Sequence, residues 1–259
     1  MKRAKPAGTY VYCVVAADRR PRLTRVPAGL PGAGAVRLLD VEKGLFIAVA
    51  DLPLDRYSES AINKGLGDLD WVSRIAIAHE KVVESFIAST AVLPMKLFTI
   101  FTTDDRALDH VRAQRARVAS LVTRVANHQE WGIRVVLDRA LVAALSKKTA
   151  APRSSSGVWY LTQKKAQRDA STQLASRARG AMADLFDRLA ARAGDAKRRA
   201  ASELPVQGGP LLLDAAFLVA RRRADAFQAL TAREAKSLAR HGYGVTVTGP
   251  WPPYTFVRE

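Results

Sequence analysis

The run LLLDAAFLVARRRADAFQALTAREAKSLARHGYGVTVTG, residues 211–249, decides how the second half of the chain is read. Its first ten residues are apolar apart from Asp214, which suits a buried strand. From residue 224 the period changes. Phe227, Leu230 and Leu238 recur on one helical face, and Gly242 stands where glycine commonly ends a helix. Residues 243–248 then alternate, the period of another strand. Strand, helix, strand in this order is half of a split β-α-β arrangement, and the other half is expected just upstream.

Upstream, WGIRVVLD (131–138) predicts a strand. Residues 158–199 predict one long helix with a break near Gly194. Leu174, Ala178, Ala181, Leu185 and Leu189 line its inner face, and arginines and lysines its outer face. Residues 203–207 read as a short extended piece before the turn Gly208-Gly209-Pro210. From 131 onward the order is therefore β-α-β-β-α-β, a modified ferredoxin-like unit with two helices on one face of a four-stranded antiparallel sheet. ALVAALSKKTAAPRSSSG (140–157) begins as a short helix and ends as a Pro/Ser/Gly linker, which places a soft insertion at about 145–157.

The first half reads as a second α+β domain, an antiparallel sheet with helices. TYVYCVVAA (9–17) is β-branched and aromatic, a buried strand. Residues 35–39 and 45–51 form a hairpin around Val41-Glu42-Lys43-Gly44. Ile75, His79, Val82 and Phe86 give residues 69–89 one apolar helical face. VLPMKLFTIF is a strand-like run broken by Pro94. Asp104 and Asp105 open a further helix with the stripe Leu108, Val111, Val118, Leu121, Val122 and Val125. The expected domains are 1–130 and 131–259.

Charge is the compositional outlier. Forty-one Lys and Arg against 24 Asp and Glu give +17, of which residues 139–240 carry +12. Nucleic acid, an anionic membrane, an acidic protein partner and an arginine-rich coding bias all fit such an excess. The single cysteine, Cys13, excludes an internal disulfide and sits in an apolar run, as a small buried hydrophobe does. The short apolar run after the basic N-terminus is a strand, not a signal peptide, and no run reaches the roughly 18 residues of a membrane helix. A soluble, cytoplasmic protein is expected.

Reactive constellations were sought among the same residues. His79-Glu80 begins like a zinc-protease motif, but Val83 stands where the second histidine belongs. His79 lies on an apolar face and reads as a hydrogen-bonded core histidine. The pairs Asp68/Asp70 and Asp104/Asp105 sit at helix starts, where capping explains them. No phosphate-cradling glycine motif and no nucleophile elbow appears. We therefore expect no catalytic residue, metal, cofactor or small-molecule substrate. A nucleic-acid-binding module using the basic second half is the alternative. It stands second because LLLDAAFLVA has one aromatic, Phe217, and lacks the basic aromatic pattern of RNA-binding sheets.

The closing stretch GPWPPYTFV (249–257) contrasts with everything before it. Three prolines fix φ and remove amide donors, which excludes a central strand and predicts an extended, rigid arm. Trp251, Tyr254 and Phe256 would bury large areas at low entropic cost. Trp251, Pro252, Pro253, Tyr254 and Phe256 are thus the candidate docking residues, either a clasp over the chain's own domain or a binding edge for a partner.

Several segments together carry a family resemblance: Tyr10-Val11-Tyr12, His79-Glu80, Val92-Leu93-Pro94-Met95-Lys96-Leu97-Phe98-Thr99, Glu130-Trp131-Gly132-Ile133-Arg134-Val135, Tyr160-Leu161 and Gly249-Pro250-Trp251-Pro252-Pro253-Tyr254-Thr255-Phe256. On these the chain resembles the gas vesicle protein GvpF/GvpL family over almost its full length. Where that family tends to show Arg-Phe-Gly-Thr, this chain has Lys96-Leu97-Phe98-Thr99. The resemblance implies a non-enzymatic accessory or minor structural protein of gas vesicle assembly. It implies two α+β domains, the second ferredoxin-like. Its implied partners are the small hydrophobic shell subunit and other gas vesicle accessory proteins.

Overall fold

A computed structural model of the chain describes residues 7–24, 26–138, 157–199 and 209–257. The chain groups into two compact units: Met1–Gln129 together with Trp251–Glu259, and Glu130–Pro250.

The first unit is built on β1 (Ala7–Ala16), whose residues Tyr10 to Val15 are all buried. β2 (Arg37–Glu42) and β3 (Leu45–Pro53) form the expected hairpin, shifted slightly and turned by Lys43-Gly44, with Gly44 at φ 77°. β1 pairs antiparallel with β3 on one side, and with β4 (Ala91–Pro94) and β5 (Ile100–Phe101) on the other. The sheet order is β2-β3-β1-β4. At Tyr12 the register against β3 slips by one residue. Such a bulge frees backbone groups, and the Tyr12 carbonyl accepts instead from Met95 N at 2.9 Å.

Four helices accompany this sheet. α1 (Glu59–Gly65), which the sequence reading did not anticipate, is capped by Ser58 and buries no residue. α2 (Leu69–Glu84) is capped by Asp68 and turns Ile75, His79, Val82 and Val83 inward. The expected next helix is two, α3 (Asp104–Ala113) and α4 (Arg115–Val125), divided at Gln114. The N-cap of α3 is Thr103, not an acid. Asp104 serves elsewhere: its Oδ1 accepts from Thr9 Oγ1 and from Arg37 Nη2, each at 2.7 Å, tying the helix to β1 and β2.

In the second unit, β6 (His128–Leu137) starts just before the division at residue 130. It is followed by α5 (Gly157–Ala190), β7 (Asp195–Arg198), β8 (Leu211–Ala220), α6 (Ala224–Ala239) and β9 (Tyr243–Trp251). The sheet order β7-β8-β6-β9 is the split β-α-β arrangement, with the third strand inserted between the first and second. Two boundaries differ from expectation. The long helix stops at Ala190 instead of residue 199. Among the described residues the second strand is Asp195–Arg198; the expected strand at 203–207 lies outside them, as does the expected soft insertion over 145–157 apart from Gly157, which begins α5. Helix propensity in AKRR yields because β8 needs an edge partner. β7 runs antiparallel to Leu218–Ala215, and Gly194 N and Arg199 N donate to the Leu218 and Asp214 carbonyls, both at 2.8 Å. Trp131, Ile133 and Val135 of β6, Phe217 of β8, Leu185 and Leu189 of α5, and Phe227 of α6 make one core.

The end of the chain departs most from expectation. The expected second domain continued to residue 259, whereas Trp251–Glu259 groups with the first unit. Its prolines do keep it out of a central strand, since β9 is an edge. It is not extended throughout: Tyr254–Val257 forms one helical turn, α7. Proline is tolerated in the first turn of a helix, where its missing donor costs nothing. The Pro253 carbonyl accepts from Phe256 N at 3.1 Å and from Val257 N at 3.2 Å.

Candidate functional site

The chemistry of the first unit's core is set by three rings. The Tyr10 hydroxyl and His79 Nδ1 share a hydrogen bond of 2.8 Å, and the Tyr12 ring stands 4.8 Å from Tyr10 and 5.6 Å from His79. Burial pushes the His79 imidazole down to about 4, an effect the Met95 backbone partly offsets, so the ring is neutral at pH 7. Burial likewise pushes the Tyr12 phenol up to about 12, with Leu30 N, which donates to its oxygen at 3.0 Å, working the other way. A Cβ on Gly29 would collide with that phenol oxygen. These groups are a packed polar core and not an acid–base pair facing solvent. His79 is 2% exposed.

On this core rests the loop from Met95 to Thr99. Besides the Met95 bond to Tyr12, Val11 N donates to the Thr99 carbonyl at 2.9 Å. Phe98 in this loop adopts φ 63°, the left-handed region that favours glycine. It is the position at which the family pattern has its glycine. Its ring lies against Trp71, centroids 5.6 Å apart and planes 9° from parallel. Trp71 in turn packs so closely on Gly65 that a Cβ there would come within 2.6 Å of the indole.

Beside the loop lies a cleft of about 690 Å³. Val14 and Leu93 of the sheet, the residues from Pro94 to Phe101 apart from Leu97, one side of α3 and α4, and Tyr254 and Val257 of α7 line it. The segment Val92–Thr99 and the closing segment of the chain, about 150 residues apart in sequence, thus meet at one surface. Of the candidate docking residues, Tyr254 lines the cleft and packs against the first unit's core. Phe256 is fully buried, Pro252 and Pro253 are buried, and Trp251 remains 39% exposed. The sequence reading did not find the cleft's other walls. Leu93, Leu121 and Val118 were read as parts of a strand and a helix stripe, and nothing in one sequence says that two such elements border a common space.

In the second unit, the charged groups are drawn into structure. Arg199 Nη2 pairs with Asp214 Oδ1 at 2.6 Å and Arg134 Nη2 with Asp214 Oδ2 at 3.2 Å, while the Asp214 side chain is 5% exposed. Arg198 lies over the Phe186 ring at 4.5 Å. Among the described residues, no three His, Cys, Asp or Glu side chains gather as a metal site would require, and no helix is long and apolar enough to cross a membrane.

These features define a two-sheet α+β protein with an apolar cleft and, among the described residues, no metal-holding cluster. The family model for "Gas vesicle synthesis protein GvpL/GvpF" matches residues 8–258, and the chain belongs to that family. It is 29% identical to gas vesicle protein L of Streptomyces sp. (strain CB03234) over 252 residues, covering 95% of this chain and 91% of that one. It is also 29% identical to gas vesicle protein F of the same strain, covering 96% and 99%. The crystal structure of GvpF from Anabaena sp. PCC7120 superposes with a TM-score of 0.68 at 16% identity, covering 98% of this chain and 97% of that one. GvpF from Microcystis aeruginosa gives 0.66 at 16%, covering 97% and 99%. At such identity the structural likeness speaks for the fold alone.

Proposed function

We propose that this protein acts as a non-enzymatic accessory factor in the cytoplasm during gas vesicle assembly, holding the small hydrophobic shell subunit and other accessory proteins through the cleft of its first unit. The observation that carries the reading is the convergence on that cleft of two of the segments that carry the family resemblance, Val92–Thr99 and the closing residues that include Tyr254. A shell subunit exposes apolar surface before it polymerises, and a partner that covers this surface suppresses unproductive association. The five tail residues then serve chiefly as a clasp, with Tyr254 forming part of the cleft wall.

Co-purification of the protein with purified shell subunit is the direct test. Leu121→Asp, placed in the cleft wall, should abolish co-purification with an unchanged thermal melt. A folded wild-type protein that retains no shell subunit overturns the reading. The nucleic-acid alternative gains no support, because Arg198 and Arg199 of the second unit's basic run are already engaged with Phe186 and Asp214.

A further inference from the structure

We infer that the partner segment seated in the cleft is amphipathic and acidic, laying aliphatic side chains on the cleft floor and directing a carboxylate to Lys96. This deepens the docking role proposed above and rests on it. Apolar side chains, among them Leu93, Ile100, Phe101, Leu121 and Val257, supply about half of the lining. The rim is different. Lys96 and Arg117 line it and are exposed, and none of the described lining residues is an aspartate or glutamate. The helix α4 that forms one wall, RARVASLVTRV, contains three arginines and no acid.

Three acids of this unit are paired away from the cleft. Asp104 holds Thr9 and Arg37, Asp51 pairs with Arg37, and Glu42 pairs with Arg115. The lining thus offers two cations and no carboxylate beside its apolar side chains. A basic segment would be repelled there and an uncharged one would leave the field unused. A cleft of this volume accommodates a few side chains, which suits one or two turns of a partner segment.

Three fluorescein-labelled peptides test the inference, identical in their apolar residues and carrying glutamate, glutamine or lysine at the same two polar positions. Fluorescence anisotropy with the full-length protein should rank glutamate above glutamine above lysine. The gap between first and last should be about tenfold or more at about 50 mM NaCl and should largely close at about 500 mM. Lys96→Glu should narrow or invert the ranking, and Lys96→Gln should weaken the glutamate peptide without strengthening the lysine one. Equal binding of all three, no binding, a ranking unmoved by Lys96→Glu, or displacement of the glutamate peptide by oligo-dT as readily as by its unlabelled form each overturns the inference. Shell-subunit co-purification by the same protein separates the two readings: if it succeeds while the peptides fail, only the charge rule falls, and if both fail, the docking role falls with it.

Discussion

Phe98 holds a backbone shape in which a side chain costs about 1–2 kcal/mol relative to glycine. What keeps it there is the ring stacked on Trp71. Two substitutions separate these terms. Phe98→Ala loses the ring and keeps the strained Cβ, whereas Phe98→Gly loses the ring and the strain together. Phe98→Gly should therefore be the more stable of the two by about 1 kcal/mol in urea unfolding, the reverse of the usual order. His79 makes a second prediction at this scale. Its folded pKa lies below its unfolded one, so its contribution is complete above about pH 6.5 and is lost as pH falls toward about 4. Between about pH 7 and about pH 5 this group should remove about 2 kcal/mol of stability, and His79→Gln should show a correspondingly flatter profile. That His79 belonged to a core could be read from its place on an apolar helical face. That Phe98 stood at positive φ could not, because the aromatic residue hides the glycine-like turn that the family pattern betrays.

Elements behave according to what they must pair with. β9 and α7 show this at the chain's end: the prolines break the extended run, and Phe256 becomes fully buried. Phe256→Ala should cost about 3–5 kcal/mol of stability by thermal or urea denaturation, while Trp251→Ala, at a 39% exposed position, should cost far less. Strand and helix types were legible wherever the apolar period was strong, as in β1, β8, α2 and α6. They were not legible where a tertiary need overrode local preference: DAKR became β7 because β8 had an open edge, and one apolar stripe concealed the break at Gln114. The cleft was half legible. The tail announced itself by composition, but its destination depends on packing that no periodicity encodes.

At the scale of the whole molecule, a net charge of +17 is managed locally. Asp214 is nearly buried between Arg134 and Arg199, and removing Arg199 leaves it with the more distant cation alone. Arg199→Met should destabilise by about 2 kcal/mol, and adding Asp214→Leu should recover part of that loss, because a buried pair is costlier to break than to replace, while buried Glu130, 3.8 Å from Arg199, still lacks that cation. Urea titration of both variants distinguishes the cases. Truncation after Pro250 should raise hydrogen exchange in β1 and α2 and leave β6 and β8 protected, since the deleted residues group with the first unit.

That grouping has a consequence for how the protein comes into being. Trp251–Glu259 are synthesised after the whole of the second unit, yet they group with the first. Through translation of the intervening residues, on the order of ten seconds, the nascent chain carries a gap where Phe256 will sit. The first unit is thus made before the second but completed after it, and premature termination within the second leaves it open to proteases and chaperones.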